Sequence, residues 1–352
     1  MRDKQDIKSL TLEELMAAVK SLELPSYRTR QIFSWLHQKG AEEFEEMSNL
    51  PKSLRQLLAE HFQIAWAKVE KKLASRLDDT VKYLYQLTDG EYVEAVVMHY
   101  HHGYSICIST QVGCRMGCHF CATGKSGFSR NLLPSEMLSQ ITAAQRDLNI
   151  RISNVVLMGM GEPLDNFDNV MRFLELVSCK DGVNIGARHI SLSTCGLVDQ
   201  IYRLMKYKPQ FTLSVSLHAP NDKIRNTMMP VNKKWPVDTL LKACREYTKA
   251  TGRRVSFEYT LIHGVNDTPQ CALQLAEKLS GMLCHVNLIP VNPVDGTQYH
   301  SGSGDTIRKF QSILLSKGLN ATVRRTLGSD INASCGQLRR KADKGGHLIE
   351  NG

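Results

Sequence analysis

From residue 104 to residue 326 the chain alternates short β-type apolar runs with helical spacing, and no other feature limits its fold as much. The β-type runs fall at 106–109, 155–158, 190–193, 211–217, 255–262 and 286–289. Helical periodicity occupies 135–148, 166–177, 198–206, 236–250, 269–281 and 305–317, and 321–326 adds a last strand. Such repeats build a parallel sheet with right-handed crossovers. Six units fall short of the eight that close a barrel, so the expected class is α/β, as a partial (βα)6 barrel or a doubly wound sheet. Both arrangements put a site at the carboxyl ends of the strands.

Two regions precede this one. Residues 1–65 read as a helical accessory domain: Thr11-Leu12-Glu13-Glu14 has the capping-box pattern, and Leu15, Ala18, Val19 and Leu22 share a face. Further helices are expected over 28–37 and after Pro51. Tyr27, Arg28 and the stretch 30–35 suit either RNA contact or the packing of a small bundle. Over 69–110 the period becomes two. Strands at 81–87 and 92–98 flank Thr88-Asp89-Gly90, and a second turn lies at His101-His102-Gly103, which predicts an antiparallel β-meander linking the domains over 66–103. Glu94 alternates in phase with Tyr92, Val96 and Met98. An acid on an apolar face costs free energy unless it has a partner or a task.

Charge narrows the partners. The net charge is +9, from 44 basic and 35 acidic residues, which favours an anionic partner. Basic pairs at Lys71-Lys72, Lys233-Lys234, Arg253-Arg254 and Arg324-Arg325, and the run 339–341, each suit a solvated face; together they point to nucleic acid. No uncharged apolar run reaches the roughly 18 residues of a membrane span. The first residues are charged where a signal peptide needs an apolar stretch, so the expectation is a cytoplasmic protein without a membrane partner. Its ten cysteines are then mostly reduced, and metal ligation and thiol chemistry take precedence over structural disulfides. The polar tail, 341–352, is expected to be mobile.

Three of the cysteines sit in Gln111-Val112-Gly113-Cys114-Arg115-Met116-Gly117-Cys118-His119-Phe120-Cys121, directly after the first strand of the alternating region. Three thiolates on one short loop suit three corners of a four-iron cluster and leave one iron open to a ligand. Zinc with His119 as fourth ligand is the competing reading, although structural zinc usually takes two separated ligand pairs. Gly159-Met160-Gly161-Glu162-Pro163 follows the second strand, and no Gly-x-Gly-x-x-Gly loop is present. By themselves Cys107 and Cys335 read as small core residues. Cys179, Cys195, Cys244, Cys271 and Cys284 read the same way.

A Cys-x3-Cys-x2-Cys loop after strand one of a βα barrel resembles the radical S-adenosylmethionine (SAM) superfamily. Residues 121–131, Ser216-Leu217-His218-Ala219-Pro220, Asn287-Leu288-Ile289-Pro290-Val291-Asn292-Pro293 and Ala333-Ser334-Cys335-Gly336-Gln337-Leu338 narrow this to the dual-specificity adenine-C2 methyltransferases of 23S ribosomal RNA and transfer RNA. Similarity covers nearly the whole chain, most strongly 104–340. A sister family acts at C8 of the same ribosomal adenine and typically has alanine after Gly-Met-Gly-Glu, where this chain has Pro163; C2 is therefore favoured.

The resemblance implies that Cys114, Cys118 and Cys121 hold a 4Fe–4S cluster. It places Gly161, Glu162, Ser193, Ser216, Leu217, His218 and Asn292 on S-adenosylmethionine, of which two molecules are used per turnover. It further implies that Cys335 carries the methyl group, that Cys107 resolves a protein–RNA adduct through a transient disulfide with Cys335, and that Glu94 accepts the ring proton, a task Cys107 can also fill. Ribosomal and transfer RNA are the implied partners, with a small electron-donor protein such as flavodoxin or ferredoxin, and nothing demands more than a monomer. Adenine C2 is a poor nucleophile, so a carbon radical suits it better than direct methyl displacement. A thiol suits the methyl acceptor because its thiolate is strongly nucleophilic. Cys335 lies between Gly328 and Gly336, which favours a mobile position. The adenine must leave its stack to reach such a site, and RNA binding should weaken steeply with salt.

Overall fold

Apolar side chains at alternate positions and at helical spacing sort this chain into one open sheet of ten strands with helices packed against it. The computed structural model describes residues 4–292 and 298–333. Strand β1 (Gln5–Asp6) is followed by helices α1 (Leu12–Ser21), α2 (Tyr27–His37) and α3 (Lys52–His61), then by β2 (Phe62–Gln63), which pairs in parallel with β1. The capping box forms: Thr11 Oγ1 accepts from the Glu14 N–H, and the Glu14 carboxylate accepts from the Thr11 N–H. Leu15, Val19, Ile32, Phe33, Leu36 and Leu58 are buried in an apolar cluster that continues into the main domain. Most of the stretch around Trp35 is thus packing, whereas Tyr27 stands exposed with the Arg28 guanidinium 4.8 Å from its ring centroid.

The meander forms from β3 (Ala67–Ala74), β4 (Val81–Leu87) and β5 (Tyr92–Tyr100), paired antiparallel. Strand β6 (Gly103–Cys107) pairs antiparallel with β5 on one side and parallel with β9 (Ile152–Leu157) on the other. The segment expected as a linker therefore shares one sheet with the parallel strands. Beyond β9, the sheet continues through β10 (Ile190–Thr194), β11 (Thr212–Ser216), β12 (Val255–Leu261), β13 (Cys284–Pro290) and β14 (Ala321–Val323). The crossovers run through α4 (Pro134–Leu148), α5 (Phe167–Ser178), α6 (Val198–Met205), α8 (Val237–Thr251), α9 (Pro269–Leu279) and α10 (Gly304–Ser316). Six βα units result, as the alternation predicts. Val155, Leu157, Leu192, Leu213 and Val215 are fully buried in the central strands. Each such side chain stabilises the fold by roughly 1.5–3 kcal/mol.

Three departures bear on the site. Helix α7 (Asp222–Met228) fills the loop after β11, and a short hairpin, β7 (Gln111–Gly113) with β8 (Phe128–Asn131), frames the cysteine loop. The last strand ends at Val323 rather than 326; the Arg324 N–H still donates to Leu288 O at 2.8 Å, and the chain then leaves the sheet. Among the described residues no helix is long and apolar enough to cross a membrane. Residues 341–352 lie outside the described residues.

Candidate active site

Backbone pairing fixes the cysteine loop. Gln111 faces Asn131 and Gly113 faces Phe128 across the β7–β8 hairpin, and the Cys114 N–H donates to Gly127 O at 2.8 Å. The Cys121 N–H donates to Cys118 O at 3.1 Å. Gly124 has no room for a side chain, because a Cβ there would stand 2.9 Å from Cys118 O. His119 is turned toward α7: its N–H donates to Met228 O and its ring Nδ1 to Thr227 O at 2.7 Å.

The donor set suits a cluster. Burial pushes the Cys114 thiol up to about 12, with Glu162, Cys121 and Asp165 adding negative charge around it. Burial also raises Cys118, helped by Cys121 and Cys114. The three thiols therefore lie in one another's field, where thiolates need a cationic group to balance them. Among the described residues no three His, Cys, Asp or Glu side chains are arranged around a single ion. A cluster asks instead that each thiolate meet its own iron.

The next wall comes from the ends of β9 to β13. Gly159 and Gly161 are required by close approach, since added Cβ atoms would lie 2.5 Å from Ile108 O and 2.7 Å from Gln111 N. Gly161 also has φ +105°. Glu162 is buried, and its carboxylate accepts from the Leu164 N–H at 3.0 Å and the Cys195 N–H at 2.7 Å, bridging the loops after β9 and β10. Burial raises its pKa while those donors oppose the shift. The Thr194 and Cys195 side chains also hydrogen-bond to this carboxylate, so it is held firmly in place.

Ser193 lies on β10 opposite Ser214, and Ser216 on β11 opposite Glu258. The Leu217 and His218 N–H groups both donate to Glu258 O. The Leu217 side chain is fully buried, so a ligand there meets its backbone. His218 Nδ1 accepts from the Thr260 N–H at 2.9 Å, which leaves the ring proton on Nε2. Burial, with Arg225 nearby, lowers the His218 pKa to about 3, so the imidazole stays neutral. Its ring meets Phe120, the neighbour of Cys121, edge-on at 4.9 Å. Asn292 is exposed just past β13.

A cavity of about 490 Å³ is lined by Met98, Cys107, Cys121, Gly159, Asn292 and Ala333, among others, whereas Cys114, Cys118, Glu162, Ser193, Ser216 and His218 do not line it. Cys107, at 5% exposure, packs with Val96 and Met98, and Leu327 and Ala333 close over them. Cys335 lies two residues beyond, outside the described residues. No disulfide joins two described cysteines. Glu94 has the partner that its apolar surroundings demand: its carboxylate lies 2.9 Å from Lys82 Nζ, and both side chains are completely buried. The pair sits within the wall rather than on the cavity surface. Arg324 and Arg325 border the mouth, so one of the basic pairs adjoins the site.

Residues 108–275 match the radical SAM superfamily, and residues 5–64 match the ribosomal RNA large subunit methyltransferase N-terminal domain. The chain is 52% identical over 339 residues to the probable dual-specificity RNA methyltransferase RlmN of Alkaliphilus oremlandii, covering 96% of this chain and 98% of that one. It is 49% identical over 338 residues to the protein of the same name from Lachnoclostridium phytofermentans, covering 96% and 95%. The chain belongs to the RlmN family. In three dimensions this RlmN-family chain is similar to a radical SAM methyltransferase from Sphaerobacter thermophilus, with a TM-score of 0.91 and 43% identity over 95% of this chain and 98% of that one.

Two buried cations of the RlmN-family site carry no local sequence signal. Arg225, read along α7, looks like a solvated helix residue, yet it is fully buried. Its guanidinium donates to Leu217 O, Ser216 O, Cys195 O and Asn232 Oδ1 at 2.7–3.1 Å, tying the loops after β10 and β11 together. Lys82 likewise lies where a meander strand was expected to be ordinary.

Proposed function

We propose that this RlmN-family enzyme methylates C2 of an adenine in 23S ribosomal RNA and in transfer RNA. One observation carries the reading: a single cavity is bordered by Cys107, by Cys121 of the cysteine loop, and by Ala333, two residues before Cys335. Pro163, after Gly161-Glu162, favours C2 over C8.

The three loop cysteines would hold the 4Fe–4S cluster. Gly161, Glu162, Ser193, Ser216, Leu217, His218 and Asn292 would hold S-adenosylmethionine at the strand ends. When bound, the cluster and two S-adenosylmethionine molecules per turnover supply a methyl group and the one-electron chemistry that activates it. Cys335 accepts that methyl group as a thiolate nucleophile. Once the carbon held on the Cys335 sulfur is bonded to adenine C2, the Cys107 thiolate attacks that sulfur. The Cys335 S–C bond breaks, and its electron pair goes to the base-linked carbon, which takes up a proton to become the methyl group. The two sulfurs form a transient disulfide that the reductant reopens. The ring proton goes to Glu94 or to Cys107, of which Cys107 is the one facing the cavity. Arg324 and Arg325 at the mouth offer charge to RNA phosphates. The reading includes a cytoplasmic monomer reduced by a small donor protein such as flavodoxin or ferredoxin.

The test is mass spectrometry of nucleosides from unmodified ribosomal and transfer RNA after anaerobic incubation with reconstituted enzyme, reductant and S-adenosylmethionine. The expected product is 2-methyladenosine in both RNAs; 8-methyladenosine, or no methylated adenosine, contradicts the reading.

A further inference from the structure

We propose that Lys82 is a positioning residue that latches the segment leading to Cys335 onto the meander, with Glu94 as its buried counter-ion. The inference rests on the reading of Cys335 as the methyl carrier. A lysine ammonium has three donors. In this structure one points at Glu94 Oε2, 2.9 Å away, and another at the backbone carbonyl of Asn332, also 2.9 Å away. Asn332 stands three residues before Cys335. Removing a lysine and a glutamate from water is costly, and such a pair persists where the geometry returns something for it. Here the return is a fixed point between the sheet and a segment that has already left it.

The surrounding contacts run between the same two segments. The Gly328 N–H donates to Asp78 Oδ2 at 2.9 Å. Asp330 accepts from Ser75 Oγ and from the Arg76 N–H, both at 2.7 Å. A Cβ on Gly328 would stand 2.9 Å from the Thr80 methyl carbon, so the Gly328 backbone packs closely on the Thr80 side chain. The turn between β3 and β4, residues 75–80, is thus a cradle for 328–332, and Lys82 is its innermost and only fully buried cationic contact among the described residues. Glu94 acts on the Cys335 segment through Lys82, whatever its part in proton transfer.

The test compares Lys82→Met, Asp78→Ala and the double variant Lys82→Met/Glu94→Leu with wild type, all as full-length reconstituted protein. The double variant replaces both charges with apolar groups, an exchange that folds commonly tolerate. Hydrogen exchange without RNA is the primary readout. The latch predicts faster exchange of the amides of Arg76 and Gly328, confined to 75–82 and 328–333, by roughly tenfold or more. It also predicts that Lys82→Met lowers kcat for RNA methylation by roughly tenfold or more with an unchanged KM for RNA and unchanged iron content. Wild-type exchange over 328–333 in both Lys82 variants overturns the proposal, as does faster exchange spread evenly through the sheet. If the wild-type enzyme methylates neither RNA, the functional reading fails and the exchange result alone decides the latch.

Discussion

Two loops line the cavity, and they are held by different means. The cysteine loop is closed at its base by the β7–β8 hairpin and braced inside by Cys114 N–H to Gly127 O and Cys121 N–H to Cys118 O. The segment 324–333 leaves β14 after one backbone bond to Leu288 and is then attached to other elements largely through side chains: Asp78, Ser75 and Lys82 reach it, and its own Asp330 reaches back. Ligands of a cluster must keep one geometry, and backbone pairing supplies that. A thiol that serves first a methyl donor and then a base must change position, and side-chain tethers can be released one at a time. On the roles proposed for the two loops, the contrast between them follows the contrast between their tasks.

Substitutions in each loop break this comparison in different ways. Gly124→Ala should have the larger effect, because its Cβ would meet the Cys118 backbone. We expect iron per chain to fall by half or more, and methylation with it, since overpacking of this kind typically costs about 1–3 kcal/mol. Iron analysis after reconstitution checks this; a full complement of iron would show that the loop is less fixed than its pairing implies. Asp330→Ala should have the smaller effect. Iron content should stay at the wild-type level while methylation slows by roughly three- to tenfold through loss of one tether. The Arg76 N–H and Ser75 hydroxyl hold the Asp330 carboxyl below its usual range. The charged form that makes this tether therefore persists through neutral pH and is lost only as pH falls through that lowered pKa. A loss of iron in Asp330→Ala would erase the distinction between the loops.

The sequence showed the order of strands and helices, the cysteine loop and the need for a partner at Glu94, because each is written in local periodicity or spacing. It did not show that partner. Leu84, not Lys82, is the residue directly opposite Glu94 across β4 and β5, and only the register brings Lys82 within reach. Arg225 escaped for the same reason: four acceptors from three separate segments surround it. Strands β1, β2 and β7 span two or three residues each, too few to display a period of two. The end of β14 was placed too late because the apolar alternation gives no sign of where the Arg324–Thr326 backbone leaves Leu288.

The account's central claim is that Cys107 and the segment carrying Cys335 work on one RNA base in one cavity. The most direct measurement is denaturing electrophoresis and mass spectrometry of Cys107→Ala incubated with reductant, S-adenosylmethionine and unmodified RNA. The account predicts a covalent protein–RNA species that accumulates, maps to Cys335 and disappears in Cys107→Ala/Cys335→Ala. Normal turnover by Cys107→Ala with no such species would contradict it.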